Sequence, residues 1–192
     1  MTERSVSPWP GGDLPDRLLA VRAAEGDEDS FAVLVQRHSQ SLLTLARAML
    51  GSPQDAEEAV QDAFLSAWRC LPEYRHAAEF RTWMYRITVN RCLTVRRRRR
   101  PPPVPLSTVA EPATADAWSQ PARSAEQDAA TAALSHALAE LDAGQRVCWI
   151  LRELQGLPYK EIAHVTRTSE QTVRGRLFRA RRSLQEAMGP WR

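Results

Sequence analysis

PYKEIAHVTRTSEQTVRGRLFRARRSLQEAM, residues 158–188, is the stretch whose reading decides the fold. Its apolar residues recur at helical spacing, which predicts a short helix over about 158–165 and a longer basic one over about 169–188, ended by Gly189-Pro190. A short helix, a brief turn and a longer basic helix read as a helix-turn-helix. Thr168-x-x-Gln171 has the form of a capping box for the second helix. At roughly 100° per residue, Val173, Leu177, Ala180 and Leu184 form one inward stripe. Gln171, Arg174, Phe178 and Arg182 lie well away from it, with Phe178 roughly 130° from its centre. An outward aromatic among arginines suits a helix that enters a DNA groove, where Arg reads guanine edges or phosphates and an apolar group touches thymine methyls. A solvated Arg-rich helix whose Phe packs on a neighbour fits the same pattern, and periodicity alone leaves both readings open.

Upstream of this stretch, helices are expected at about 125–141 and 143–155, the latter ended by Gly156, with Ser124-x-x-Gln127 as an opening capping box. Before them, residues 101–124 carry Pro101, Pro102, Pro103, Pro105, Pro112 and Pro121 among Ala, Ser and Thr. Proline removes backbone donors and biases the preceding residue to extended conformations, so this segment reads as a linker. The chain thus divides into a domain over 13–100 and a second over 125–192, with residues 1–12 expected to be disordered.

The first domain also reads as helical throughout, which makes the fold class all-α. One helix is expected from Asp13 or Leu14 to Glu25, stopped by Gly26. A second begins near Asp29, carries Phe31, Leu34, Val35, His38, Leu42, Leu45 and Met49 on one stripe, and ends at Gly51. Ser52-Pro53 starts a third as cap and first position, and Ala56, Val60, Phe64 and Trp68 face inward until Leu71-Pro72. A fourth runs from about Glu79 into the arginines with Phe80, Trp83, Met84, Ile87 and Val95 inward.

Charge is segregated although the net value is only +3. Residues 69–100 hold ten Arg and two Glu, and residues 167–182 hold six Arg and one Glu, which suggests two contacts with a polyanion. In the fourth helix and the loop before it, Tyr74, Phe80, Trp83 and Tyr85 interleave with Arg75, Arg81, Arg86 and Arg91. Such a surface can stack unpaired bases while following phosphates, but aromatics at helical spacing equally serve a core. Arg96, Arg97 and Arg98, within a run ending at Arg100, suit the phosphate backbone or a solvated helix end. Asp55, Glu57, Glu58 and Asp62 form a compact acidic cluster that fits either compensation of a helix N-terminus or a docking face for a basic partner.

Several function classes are disfavoured. No apolar run has the length of a bilayer span, and the first twelve residues lack the apolar core of a secretory signal, so a cytoplasmic protein is expected. Cys70, Cys92 and Cys148 are far apart and suggest neither a disulfide framework nor a zinc site. The four histidines are scattered, and neither a Gly-rich phosphate loop nor a nucleophile elbow is present. No cofactor, metal or catalytic residue is expected.

Four segments together resemble the extracytoplasmic-function sigma factors, the smallest members of the sigma-70 superfamily. Residues 55–64, DAEEAVQDAF, resemble that family's polymerase-docking helix. Residues 80–90, FRTWMYRITVN, resemble its promoter-melting and −10-recognition helix. Residues 151–163, LRELQGLPYKEIA, resemble the start of its −35-binding domain, and residues 172–181, TVRGRLFRAR, its recognition helix. The resemblance covers about residues 16–100 and 125–188 in family order. It departs from the pattern at Pro158, where a Ser or Thr cap is usual, and at Thr166-Arg167-Thr168, where a Leu-Gly-Ile-like turn is common.

The resemblance implies a protein that binds core RNA polymerase and promoter DNA and performs no covalent chemistry itself. Asp55, Glu57, Glu58 and Asp62 would dock on the coiled coil of the polymerase's largest clamp subunit. Tyr74, Phe80, Arg81, Trp83, Tyr85, Arg86 and Asn90 would serve the −10 element and melting, with Tyr74 and the loop to Phe80 taking a flipped base that Asn90 faces. Gln171, Arg174, Arg176, Phe178 and Arg179 would contact the −35 element. An anti-sigma partner is implied by analogy, and no appended C-terminal regulatory domain is expected. Two other classes stay in view: a helix-turn-helix regulator acting without polymerase, and an adaptor that binds proteins only.

Overall fold

The computed structural model describes residues 14–75, 78–99 and 125–189. The expected disordered start, the linker over 101–124, the Ser124 cap and Arg100 lie outside the described residues. Among the described residues the chain is helical and contains no strand.

The first domain is built from α1 (Asp16–Ala24), α2 (Glu28–Leu50), α3 (Pro53–Cys70) and α4 (Phe80–Arg99). Helix α2 starts where Asp27 accepts from the Ser30 amide at 3.1 Å, a cap worth about 1 kcal/mol. It stops at Gly51, whose φ of 71° is left-handed and whose amide donates to the Arg47 carbonyl at 2.8 Å. Ser52 then caps α3 and Pro53 occupies its first turn. Gly51, Ser52 and Pro53 turn the chain back within three residues, so α2 and α3 pack side by side, with α4 against both. Asp16 fastens α1 to α2 by accepting from Arg37 at 2.7 Å and meeting His38 Nε2 at 2.6 Å.

The second domain comprises α5 (Ala125–Glu140), α6 (Ala143–Trp149), α7 (Tyr159–Thr166) and α8 (Glu170–Ala187). Asp142 caps α6 by accepting from the Gly144 and Gln145 amides at 2.8 and 3.3 Å. Beyond Trp149 the helix widens into one π-type turn over Ile150–Leu154 before Gly156 ends it. Arg146 is 4% exposed. Its guanidinium donates to the carbonyls of Ala139 and Leu141 at the end of α5 and to Met49 at the end of α2. Burial and the charge of Arg96 pull its pKa down to about 10, which still leaves it charged at neutral pH. A cation at two helix C-termini meets the negative ends of both dipoles.

Arg146 is thus one of several ties between the domains. Helix α4 packs on α7, and α2 packs on the π turn. The apolar core runs through this junction without a break: Leu42, Met84 and Val89 of the first domain belong to the same cluster as Ile150, Leu157 and Ile162 of the second. Polar contacts flank it. Thr82 donates to Glu161 at 2.7 Å, and the Gln155 amide donates to the Ser41 carbonyl at 3.3 Å.

Candidate nucleic-acid interface

The helix-turn-helix is α7, a turn and α8. Val173, Leu177, Ala180 and Leu184 are buried as the periodicity requires. The α8 cap is Ser169, which accepts from the Thr172 amide at 3.1 Å, and so lies one residue later than the expected Thr168 cap. Thr168 instead meets Thr166, hydroxyl to hydroxyl at 3.0 Å, while its amide donates to the Ala163 carbonyl to close α7. Two hydroxyl residues stand side by side before α8, and local pattern alone does not choose between them. Arg167 takes the left-handed conformation of this turn with φ 52°.

The outward face of α8 presents Gln171, Arg174, Phe178 and Arg179 to solvent, with Phe178 69% exposed. The Arg-rich, Phe-bearing helix is therefore a solvated one, and no neighbour among the described residues covers its aromatic. Arg176 is placed differently from these four. It is partly buried, its guanidinium lies where a Cβ on Gly144 would sit, and its charge works against the desolvation that raises the Cys148 pKa. At the edge of the face, Arg152 and Arg174 lie over the Tyr159 ring at 5.3 and 5.9 Å from its centroid. Arg182 is drawn along the helix to Glu186 at 3.0 Å.

The second basic region is α4 and the segment before it. The Tyr74 ring stacks on Trp83 with centroids 4.7 Å apart and meets Phe80 edge-on at 6.2 Å. Its hydroxyl donates to the Ala78 carbonyl at 2.5 Å, and burial pushes its pKa up. Phe80 and Trp83 are buried, so Tyr74 is the half-exposed lip of an aromatic cluster whose floor is core. Residues 76 and 77 of the intervening loop lie outside the described residues. Asn90 is exposed, but it stands seven residues beyond Trp83, about 10 Å of helix rise, so the structure does not bring it to the Tyr74 ring. Arg81 and Arg86 are half-buried. Tyr85 is 1% exposed because the second domain covers it. Arg97 and Arg98 are exposed, and Arg96 is half-buried with its pKa lowered by desolvation.

The acidic cluster is largely paired within the chain. Asp55 pairs with Arg99, Glu57 with Arg47 at 3.3 Å, and Asp62 with Arg91 at 3.9 Å. Glu58 is exposed and forms no ion pair among the described residues. Between them α2 and α3 leave an open groove in which Phe31, Val35, Phe64, Leu65 and Trp68 are joined by Gln61 and Glu28. Leu65 is 56% exposed in it. The sequence reading missed this groove. Phe31, Val35, Phe64 and Trp68 fall on the inward stripes of their helices, and the signal that marks the groove is Leu65, one residue off the inward stripe.

Comparisons with known proteins agree with this layout. Residues 34–101 match the family Sigma-70 region 2, and residues 131–184 match Sigma-70, region 4. The RNA polymerase sigma-H factor of Pseudomonas aeruginosa is 33% identical over 91% of this chain and 94% of that protein. The ECF RNA polymerase sigma factor SigM of Mycobacterium tuberculosis is 35% identical over 90% of this chain and 83% of its own. Among solved structures, that of CnrH in complex with the cytosolic domain of CnrY superposes with a TM-score of 0.71 at 29% identity, covering 91% of this chain and 97% of that one.

Proposed function

Because the chain belongs to the sigma-70 family, as an extracytoplasmic-function sigma factor of transcription initiation, we propose that it binds core RNA polymerase, recognises −10 and −35 promoter elements and promotes melting. The observation that carries this reading is the outward face of α8. Gln171, Arg174, Phe178 and Arg179 are exposed on a helix whose opposite stripe is buried, a geometry suited to the major groove.

In this reading each surface has a separate task. Glu58 and the groove around Leu65 dock on the polymerase, with Asp55, Glu57 and Asp62 available once their arginines exchange partners. Tyr74 receives an unpaired base over the Phe80–Trp83 cluster, while Arg81, Arg86 and Asn90 serve the strand along α4. Arg96, Arg97 and Arg98 hold phosphates, and the α8 face reads the −35 element. Thr82 and Tyr85 reach DNA only after the second domain leaves α4. Bond making stays with the polymerase, and the protein acts in the cytoplasm.

The protein solved with the cytosolic domain of CnrY supports one more partner, an anti-sigma protein that holds this chain away from polymerase. The test of the main reading is assembly. The chain should co-elute with core polymerase and confer binding to promoter duplexes that neither component binds alone. A chain that binds duplex promoters tightly alone and ignores polymerase is a free-standing DNA regulator.

A further inference from the structure

Three arginines converge on one tyrosine at the edge of the α8 face. Tyr159 opens α7 and is half-buried. The Arg152 guanidinium lies 5.3 Å from its ring centroid and that of Arg174 lies 5.9 Å away, both within reach of the ring's negative face. Arg181 lies near the Tyr159 hydroxyl. Arg181 is itself held by Glu153, which accepts from its Nε at 3.1 Å and its Nη2 at 2.7 Å. The ring is thus half-buried beside a charged pair, and it offers its face to the one outward arginine in the second turn of α8.

A free arginine on a helix surface samples many rotamers, and ordering it for bidentate readout costs entropy. A half-buried aromatic that attracts the guanidinium narrows that set before DNA arrives. We propose that Tyr159 is a positioning residue for −35 recognition: its ring holds Arg174 at the angle from which that guanidinium reads one base pair. This rests on α8 being the helix that reads the −35 element. Tyr159 is needed at one position of the element and has no part in the others, where Gln171, Phe178 and Arg179 act without it.

The test is transcription by holoenzyme from a promoter library randomised across the −35 element, with base preference at each position read by sequencing the transcripts. Arg174→Ala should flatten one position, by roughly 5- to 150-fold for a bidentate contact. Tyr159→Met keeps apolar bulk but removes the π face, and should reduce discrimination at that same position by about 2- to 5-fold while sparing the others. Tyr159→Phe should restore it. Tyr159→Met added to Arg174→Ala should change nothing further. Should the Met variant fail to fold, fluorinated phenylalanines at position 159 decide the matter. They keep the ring's shape but withdraw its charge, so discrimination should fall step by step with each fluorine.

Failure of the proposal and failure of the underlying reading look different. Suppose Arg174→Ala flattens one position but neither Tyr159→Met nor fluorination affects it. Tyr159 then plays no positioning part. A loss spread evenly over all positions means that Tyr159 touches phosphate or only packs, and also overturns the proposal. If Arg174→Ala flattens no position, Arg174 reads no base, and both the proposal and the assignment of that contact fall together.

Discussion

The Tyr85 hydroxyl donates to Gln155 Oε1 at 2.7 Å, joining the middle of α4 to the end of the π turn across the two domains. With the Thr82–Glu161 bond it forms the polar rim of a junction whose centre is apolar. Each such bond contributes on the order of 1 kcal/mol, so Gln155→Ala and Glu161→Ala should each raise the fraction of separated domains about fivefold. Energy transfer between dyes at Cys70 and Gln185→Cys should show the shift. A distance distribution identical to wild type in the double variant would mean that these bonds do not hold the domains together.

The docking face makes a graded prediction. Glu58→Lys and Leu65→Ala alter exposed groups with no ion pair among the described residues, so stability should change by less than about 0.5 kcal/mol while polymerase affinity falls. Asp55→Lys also places a cation beside Arg99 and should lower the melting temperature as well. Titration of core polymerase with labelled chain, alongside thermal unfolding, separates the two effects. Affinity unchanged for both Glu58→Lys and Leu65→Ala would place the dock elsewhere.

Tyr74 should matter for melting more than for closed-complex binding, because unpaired bases offer faces that a duplex hides. Tyr74→Ala should slow opening, read by permanganate reactivity of unpaired thymines, and recover in part on a template already melted at the −10 element. Asn90→Ala should act independently of it, since about 10 Å of helix separates Asn90 from the Trp83 on which Tyr74 stacks. Wild-type opening rates for Tyr74→Ala would return Tyr74 to the core.

Local pattern made the helices legible and the junction invisible. Gly51, Ser52 and Pro53 announce the α2–α3 turn in sequence, and the α8 stripe gives its buried and outward faces residue by residue. Tyr85 is another matter. Its burial comes from Gln155, seventy residues away, and no periodicity within α4 distinguishes it from a solvent-facing aromatic. The pairing of Asp55 with Arg99 and of Asp62 with Arg91 joins separate helices in the same way, and that of Glu57 with Arg47 crosses the α2–α3 turn. The π turn escaped too, because one widened turn leaves the helical spacing of Val147, Ile150 and Leu151 nearly intact.

The turn before α8 offers a stability gain. Arg167 sits at φ 52°, a conformation that costs a side-chain-bearing residue roughly 1–2 kcal/mol. Arg167→Gly should relieve most of this, offset in part by the unfolded chain's added freedom, and raise stability by about 0.5–1 kcal/mol in urea unfolding. A loss would show that the Arg167 side chain contributes more than the backbone strain costs.

Thiol chemistry reports the core directly. Burial pushes Cys92 up to about 12 and raises Cys148, while Cys70 is exposed. Iodoacetamide at neutral pH should therefore label Cys70 alone in the folded protein, and all three thiols after unfolding. The folded Cys92 pKa lies above its ordinary value of 9.0, so its contribution is complete below that value and is lost as pH rises toward 12. Cys92→Ala should lessen the alkaline fall in stability over that window. An equal fall in the variant would assign it to other groups.

The most direct test of the central claim is run-off transcription with core polymerase on a genomic promoter library, with and without this chain. The account predicts discrete start sites that require the chain, share −10 and −35 elements, and disappear when Arg174, Phe178 and Arg179 are replaced together by Ala. Start sites that are the same with and without the chain, while the chain alone protects duplex DNA, would contradict it.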